Sequence, residues 1–312
     1  MSAKPPIDEL FEKRIIYPDF EPQERLARLV GLDDHIERLQ KILGLLINPA
    51  GLLAWGKEFH PGSTDVMNLV LRRPPLVVLA GDVGSGKSEL AETIGDAVAR
   101  QEKIDITLFP MSLATRGQGR VGEMTQLVSA AFDYTIEEAQ KYYSENGKAR
   151  GGVILLIDEA DALAQSREAD QMHHEDRAGV NAFIRGIDRI ANKKLPAAVI
   201  MCTNRIGALD PAIKRRAAEI LSFSRPNIAQ RGYILRKSLG PLGVGENDIK
   251  MLVELTGSTE DRDYGFTFSD ITQRLLPAIV LGAYPNDPVR GGAAIEIAKR
   301  TLPTKPFVEK AS

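Results

Sequence analysis

Apolar residues fall into two rhythms along this chain. Five short runs rich in apolar residues, Leu76–Ala80, Ile104–Phe109, Val153–Ile157, Ala197–Cys202 and Glu219–Phe223, are predicted strands. Runs apolar on both sides of the pleat belong to strands buried on both faces, the pattern of a parallel sheet. Between them the spacing changes to that of helices, predicted to start near Lys87, Gly122 and Asp176. Strands alternating with helices imply an α/β layer architecture. Upstream, Ile36, Leu39, Ile42 and Leu43 repeat at helical spacing. They predict a helix from Asp33 to about Ile47, with Asp33 or Asp34 as its cap and Pro49 and Gly51 ending it. No regular element is expected from there to Pro74-Pro75. After Pro226-Asn227 the stretches Ile228–Leu239, Glu246–Leu255, Ser269–Leu281 and Gly292–Arg300 all look helical, with no further strand. The expected organisation is an extended arm over 1–28, rich in charge and proline, a large α/β domain over 29–225, and a small α-helical domain over 226–312.

Composition narrows the function classes. Of 312 residues, 43% are hydrophobic and 26% charged, enough for a large core and a satellite domain. A formal net charge of −2 gives no global reason to expect a nucleic-acid or membrane partner. The one cysteine, Cys202, excludes an internal disulfide framework, fits a reducing compartment and reads as a buried strand residue. No run approaches the roughly 18 apolar residues of a membrane span. No basic leader precedes an apolar stretch, so a cytoplasmic location is expected.

The chemistry lies at strand ends. Gly81-Asp82-Val83-Gly84-Ser85-Gly86-Lys87-Ser88 fits the phosphate-loop pattern G-x-x-x-x-G-K-[ST] between a predicted strand and helix. Such a loop turns backbone N–H groups toward a phosphate chain at the positive end of the helix. Lys87 is expected to reach the β- and γ-phosphates of ATP, and the Ser88 hydroxyl to ligate Mg²⁺. Contacts to the nucleotide are expected from Gly81, Val83, Gly84, Ser85, Gly86, Lys87, Ser88 and Glu89. The run Val153–Ile157 ends in Asp158-Glu159. Asp158 is placed to hold the metal, and Glu159 to polarise the attacking water, which implies hydrolysis rather than binding alone. Asn204, after the strand Ala197–Cys202, is expected to sense the γ-phosphate or the water. In Asp210-Pro211-Ala212-Ile213-Lys214-Arg215-Arg216 an arginine is expected to reach a neighbouring subunit's γ-phosphate, which makes the enzyme an oligomer.

The order of these motifs resembles the AAA+ superfamily over roughly residues 29–285. Within it, the stretch Leu156–Leu163, the segment Arg177–Asp188, Thr203-Asn204 and Ile213–Ala217 resemble the ATPases that remodel HORMA-domain proteins. These are of the thyroid-receptor-interacting-protein type, with bacterial relatives in anti-phage signalling. The resemblance implies an AAA+ domain with a helical lid, and contacts from Val30 and Gly31 to adenine. It implies Arg216, rather than Arg215, as the trans-acting arginine. It also implies a homo-hexamer that pulls a disordered tail of a HORMA-domain partner through its pore. Residues 1–28 are too short for the N-terminal substrate domain of eukaryotic members. The first pore loop falls at Arg120-Val121, with arginine where the family has an aromatic residue. A second sensor arginine has no secure counterpart; Arg274 is the stand-in.

Other signals are set aside. His173-His174-Glu175 lacks the second histidine spacing of a zinc protease and reads as a solvated loop. Trp55 and Phe59 are expected to pack on the core. The competing readings are a DNA-acting AAA+ loader or transposition ATPase, and a scaffold that binds ATP without turning it over. Near-neutral charge opposes the first; Glu159 opposes the second.

Overall fold

In the computed structural model the described residues are 6–113, 123–144, 148–164, 174–205, 209–260 and 262–306. Their elements run α1 (Ile7–Leu10), β1 (Ile15–Tyr17), α2 (Phe20–Ala27), α3 (Asp33–Ile47), α4 (Ala50–Phe59), α5 (Thr64–Val70), β2 (Leu76–Gly81) and α6 (Lys87–Glu102). They continue with β3 (Asp105–Ser112), α7 (Glu123–Gln140), β4 (Gly151–Asp158), α8 (Asp161–Ala164), α9 (His174–Lys193), β5 (Ala197–Thr203), α10 (Pro211–Lys214) and β6 (Ala217–Phe223). The last helices are α11 (Ile228–Leu239), α12 (Glu246–Leu255), α13 (Leu276–Ala283), which a π-helical turn over Asp270–Leu275 precedes, and α14 (Gly291–Arg300). The chain forms two compact units. The described residues of 1–28, 33–80 and 88–222 make the first; those of 29–32, 81–87 and 223–312 make the second. The phosphate loop therefore groups with the helical segment, not with the α/β segment to which the sequence reading gave it.

The first unit is built on a sheet of strand order β1-β3-β4-β5-β2-β6. β3, β4, β5 and β2 pair in parallel, and β1 pairs antiparallel with β3. Every residue of β2 and β5 is buried, as the two-sided apolar runs require. Cys202 lies in β5, buried as expected. On one face α7 packs on α9, where Phe132 and Phe183 meet edge to face with centroids 5.7 Å apart. That approach depends on Gly186: a Cβ there would lie 2.3 Å from the Phe132 ring. The core of the second unit includes Leu235, Leu252, Phe266 and Leu275, all buried.

Three expectations need correction. The N-terminal arm is not merely extended. Tyr17 of β1 is fully buried, its hydroxyl donates to the carbonyl of Glu92, and Asp19 caps α2. Proline and charge hid a strand of three residues, too short to show a period. The stretch before Pro74 is helical, forming α4 and α5. Gly56 turns toward Met67 there, so the two helices approach closely at a position without a side chain. Trp55 and Phe59 do not join the core. They are 45% and 60% exposed and lean on each other at 6.2 Å, because their i, i+4 spacing puts both on the outer side of α4.

The α7–α9 contact yields a test. Replacing Gly186 by leucine forces a branched side chain into the Phe132 ring, and overpacking of this kind costs about 1–3 kcal/mol. Thermal or urea unfolding should show a clear loss of stability. An unchanged midpoint would mean that the two helices do not approach this closely.

Candidate nucleotide site

The phosphate loop leaves β2 and runs into α6. Gly84 (φ +71°) and Gly86 (φ +96°) hold left-handed backbone that a side chain would strain. A Cβ on Gly84 would also lie 2.8 Å from Thr267 Oγ1. Lys87, 6% exposed, donates from Nζ to the carbonyls of Gly81 (2.9 Å) and Asp82 (2.8 Å), so its ammonium is held inside the loop. Ser85 is buried and Val83 exposed. Ser88 stands exposed in the first turn of α6. Glu89 is engaged elsewhere: its carboxylate takes both branches of the Arg25 guanidinium, at 2.8 and 2.9 Å. In the second unit, the carbonyl of Gly31 accepts from Gln230 Nε2 at 3.1 Å, and Val30 packs against the helical core. Gln230 is itself fixed by a capping box with Asn227 at the start of α11.

Asp158 ends β4, where side chains leave the sheet toward the crevice beyond the strand ends. Glu159 follows with φ +51°, a left-handed conformation that costs a non-glycine residue energy and aims its side chain off the strand. Its N–H donates to Asp158 Oδ1 (2.8 Å), and its Oε2 accepts from Ser112 Oγ (2.6 Å). Ser112 closes β3 in register with Asp158. The next residue, Ala160, is tied by its N–H to the carbonyl of Cys202 at 2.9 Å. The donor set Ser88 hydroxyl and Asp158 carboxylate consists of hard oxygens. It suits Mg²⁺, which binds through one or two carboxylates together with substrate phosphates and water.

Asn204 is positioned by Asp161, the first residue of α8. Asp161 Oδ1 accepts from the Asn204 N–H (2.7 Å) and from Thr203 Oγ1 (2.8 Å), and its Oδ2 accepts from Asn204 Nδ2 (3.1 Å). The arginine pair follows α10, whose start is capped by the buried Asp210. Arg215 is exposed. Arg216 is forked onto Asp188 of α9, Nε to Oδ1 at 2.7 Å and Nη2 to Oδ2 at 3.0 Å. The Asp188 carboxylate raises the guanidinium's already high pKa, so Arg216 stays charged. Arg274, half exposed, donates to Asp270 Oδ1 at 3.0 Å. Arg120, Val121 and His173 lie outside the described residues.

Sequence reasoning missed Ser112, Asp161 and Asp188. Asp161 stands three residues after Asp158, a spacing that could have suggested it. Ser112 becomes legible only once the register of β3 against β4 is known, and Asp188 looks like any helix-face acid.

Residues 77–225 match the family described as ATPase family associated with various cellular activities (AAA). CD-NTase-associated protein 6 of Escherichia coli strain MS 115-1 is 69% identical over 310 residues, covering 99% of this chain and 100% of that one. A protein of the same description from E. coli strain KTE188 is 36% identical over 95% of this chain and 96% of its own. Among solved structures, a chain of the E. coli MS115-1 HORMA:CdnC:Trip13 complex superposes with a TM-score of 0.90 at 68% identity. It is covered in full and covers 98% of this chain. The Rhizobiales Trip13 structure matches with a TM-score of 0.74 and 54% identity, over 95% of this chain and 100% of that one. At these identities and coverages, the chain belongs to the AAA ATPases, in the Trip13-type group of the CD-NTase-associated 6 proteins.

Proposed function

We propose that this ATPase remodels a HORMA-domain partner, pulling on the partner's tail and converting or disassembling its closed complex, within a bacterial anti-phage signalling system. The observation that carries this reading is the near-complete likeness to a chain solved together with HORMA and CdnC proteins. The working form proposed is a homo-hexamer, and its location the cytoplasm. Among the described residues no helix is long and apolar enough to cross a membrane.

In the proposed mechanism Lys87 and the loop amides bind the β- and γ-phosphates of ATP. Ser88 and Asp158 hold Mg²⁺, which supplies charge neutralisation on the phosphate oxygens. Glu159 accepts a proton from the attacking water, and its bond from Ser112 orients the carboxylate before that transfer. Asn204, fixed by Asp161, touches the water or the γ-phosphate. Arg216 serves the neighbouring subunit's nucleotide, so in this reading its fork to Asp188 is exchanged for phosphate oxygens when the ring closes. Arg120 and Val121 grip the partner's tail in the pore.

Three outcomes are expected. Glu159→Gln should lower kcat by about 10²–10⁴ while ATP still binds, since only the base is lost. Such a ring should retain the HORMA-domain protein in a pull-down with ATP. Recovery of DNA without protein would favour a DNA-acting ATPase instead.

Arg216→Ala should lower turnover by about 10³–10⁵. Mixing it with Glu159→Gln subunits should restore part of the activity, because some boundaries then pair an intact Glu159 with an intact Arg216. No recovery in rings shown to be mixed would place Arg216 outside the neighbour's site.

Arg120→Ala combined with Val121→Ala should keep ATP turnover within about threefold of wild type yet stop remodelling, since a grip on the tail lies apart from the hydrolytic groups. Remodelling at the wild-type rate would put the grip elsewhere.

A further inference from the structure

A loop that binds a triphosphate collects positive potential, and a carboxylate inside it works against the ligand. This loop contains one. Asp82 is its second residue, and the side chain is 17% exposed. Its Oδ1 accepts the N–H of Val83 at 2.9 Å and so shapes the turn. Its Oδ2 accepts from Nε of Arg225, whose side chain is 13% exposed. The same guanidinium donates through Nη1 to the carbonyl of Gly265 and lies 5.0 Å from the centre of the Tyr264 ring. Nη2 is buried without a hydrogen-bond partner among the described residues.

A second contact binds the loop to the same stretch. The Ser269 N–H donates to the Gly84 carbonyl at 3.2 Å, and Thr267 and Ser269 fill the space beside the Gly84 Cα. The loop is thus held to residues 264–269 at two points, of which Arg225 is the charged one. Arg274 of the same unit spends its guanidinium on Asp270 instead.

We infer that Arg225 is a positioning residue for nucleotide binding. It neutralises Asp82 and fastens the phosphate loop to residues 264–269, so that the charge of Lys87 meets the triphosphate unopposed. Losing the arginine leaves a mostly buried carboxylate uncompensated beside the phosphates, the costly way to break a buried pair. Any loss of affinity should therefore depend on the charge of Asp82. A purely structural role at this position would not show that dependence. The inference rests on ATP binding at the phosphate loop.

The experiment is calorimetric titration of ATP into the full-length protein, with steady-state ATPase rates alongside. Arg225→Met should weaken ATP binding about tenfold or more. KM should rise by a similar factor, with kcat at saturating ATP held within about threefold, because binding rather than chemistry is affected. Arg225→Lys, which keeps the charge but loses the fork, should fall between. In an Asp82→Asn background the same Arg225→Met change should cost less than about threefold, since the charge it balanced is gone. If Arg225→Met does not fold by circular dichroism, Arg225→Lys with and without Asp82→Asn carries the comparison, with a smaller expected loss. Binding within twofold of wild type, or an equal loss in both backgrounds, would overturn the inference. Lys87→Ala is the separate control. If wild type binds ATP no better than Lys87→Ala, the phosphate-loop reading itself fails.

Discussion

The burial of the central strands on both faces governs where this protein can do chemistry. β2 and β5 have no exposed residue, and β4 is buried up to its final aspartate. A polar group inside such strands would lose its hydration without a partner. Reactive side chains are therefore pushed to the carboxyl ends, where parallel strands open into a crevice. Asp158 and Glu159 finish and follow β4, Thr203 and Asn204 finish and follow β5, and the phosphate loop starts from Gly81 at the end of β2. The register of the sheet then decides which end residues meet, as when Ser112 comes level with Asp158.

Four polar groups of the proposed chemistry are held by partners within the chain. Ser112 holds Glu159, Asp161 holds Asn204, Asp188 holds Arg216, and Arg225 holds Asp82. These bonds limit rotamer freedom before any ligand arrives, which reduces the ordering that binding must supply. They also set a threshold. Arg216 reaches another group only by giving up a bidentate carboxylate, and charge-assisted forks of this kind are among the stronger hydrogen bonds. In the trans role proposed for it, Arg216 would answer a strongly anionic neighbour and not a weak one.

Much of this was legible from residue order alone. The strand at Leu76–Gly81, the loop after it and the helix from Lys87 announce themselves by an apolar run, closely spaced glycines and a helical repeat. Helix α3 could be read at both ends because Asp33 and Pro49 bracket a strong period. β1 was hidden because three residues carry no period and its partner lies far along the chain. α4 was missed because its aromatic residues face outward and leave no amphipathic signature pointing at the core. Two of the partners were missed for one shared reason. Asp188 and Arg225 gain meaning only from tertiary contacts across 28 and 143 positions of sequence.

β1 also bears on how the chain is made. Ile15 pairs with Leu108 and Tyr17 with Ile106, while the N–H of Glu12 reaches the carbonyl of Pro110. The N-terminal segment thus covers an edge of β3 that would otherwise offer open hydrogen-bonding groups to other chains. It is synthesised before its partner strand, which lies about ninety residues behind. At roughly 5–20 residues per second, that is an interval of several seconds at least. During this time an apolar segment carrying Ile15, Ile16 and Tyr17 has no sheet to join. A peptide fused close to Glu12 would crowd this pairing while the interval itself stays the same, so the point of attachment should govern the yield of native protein.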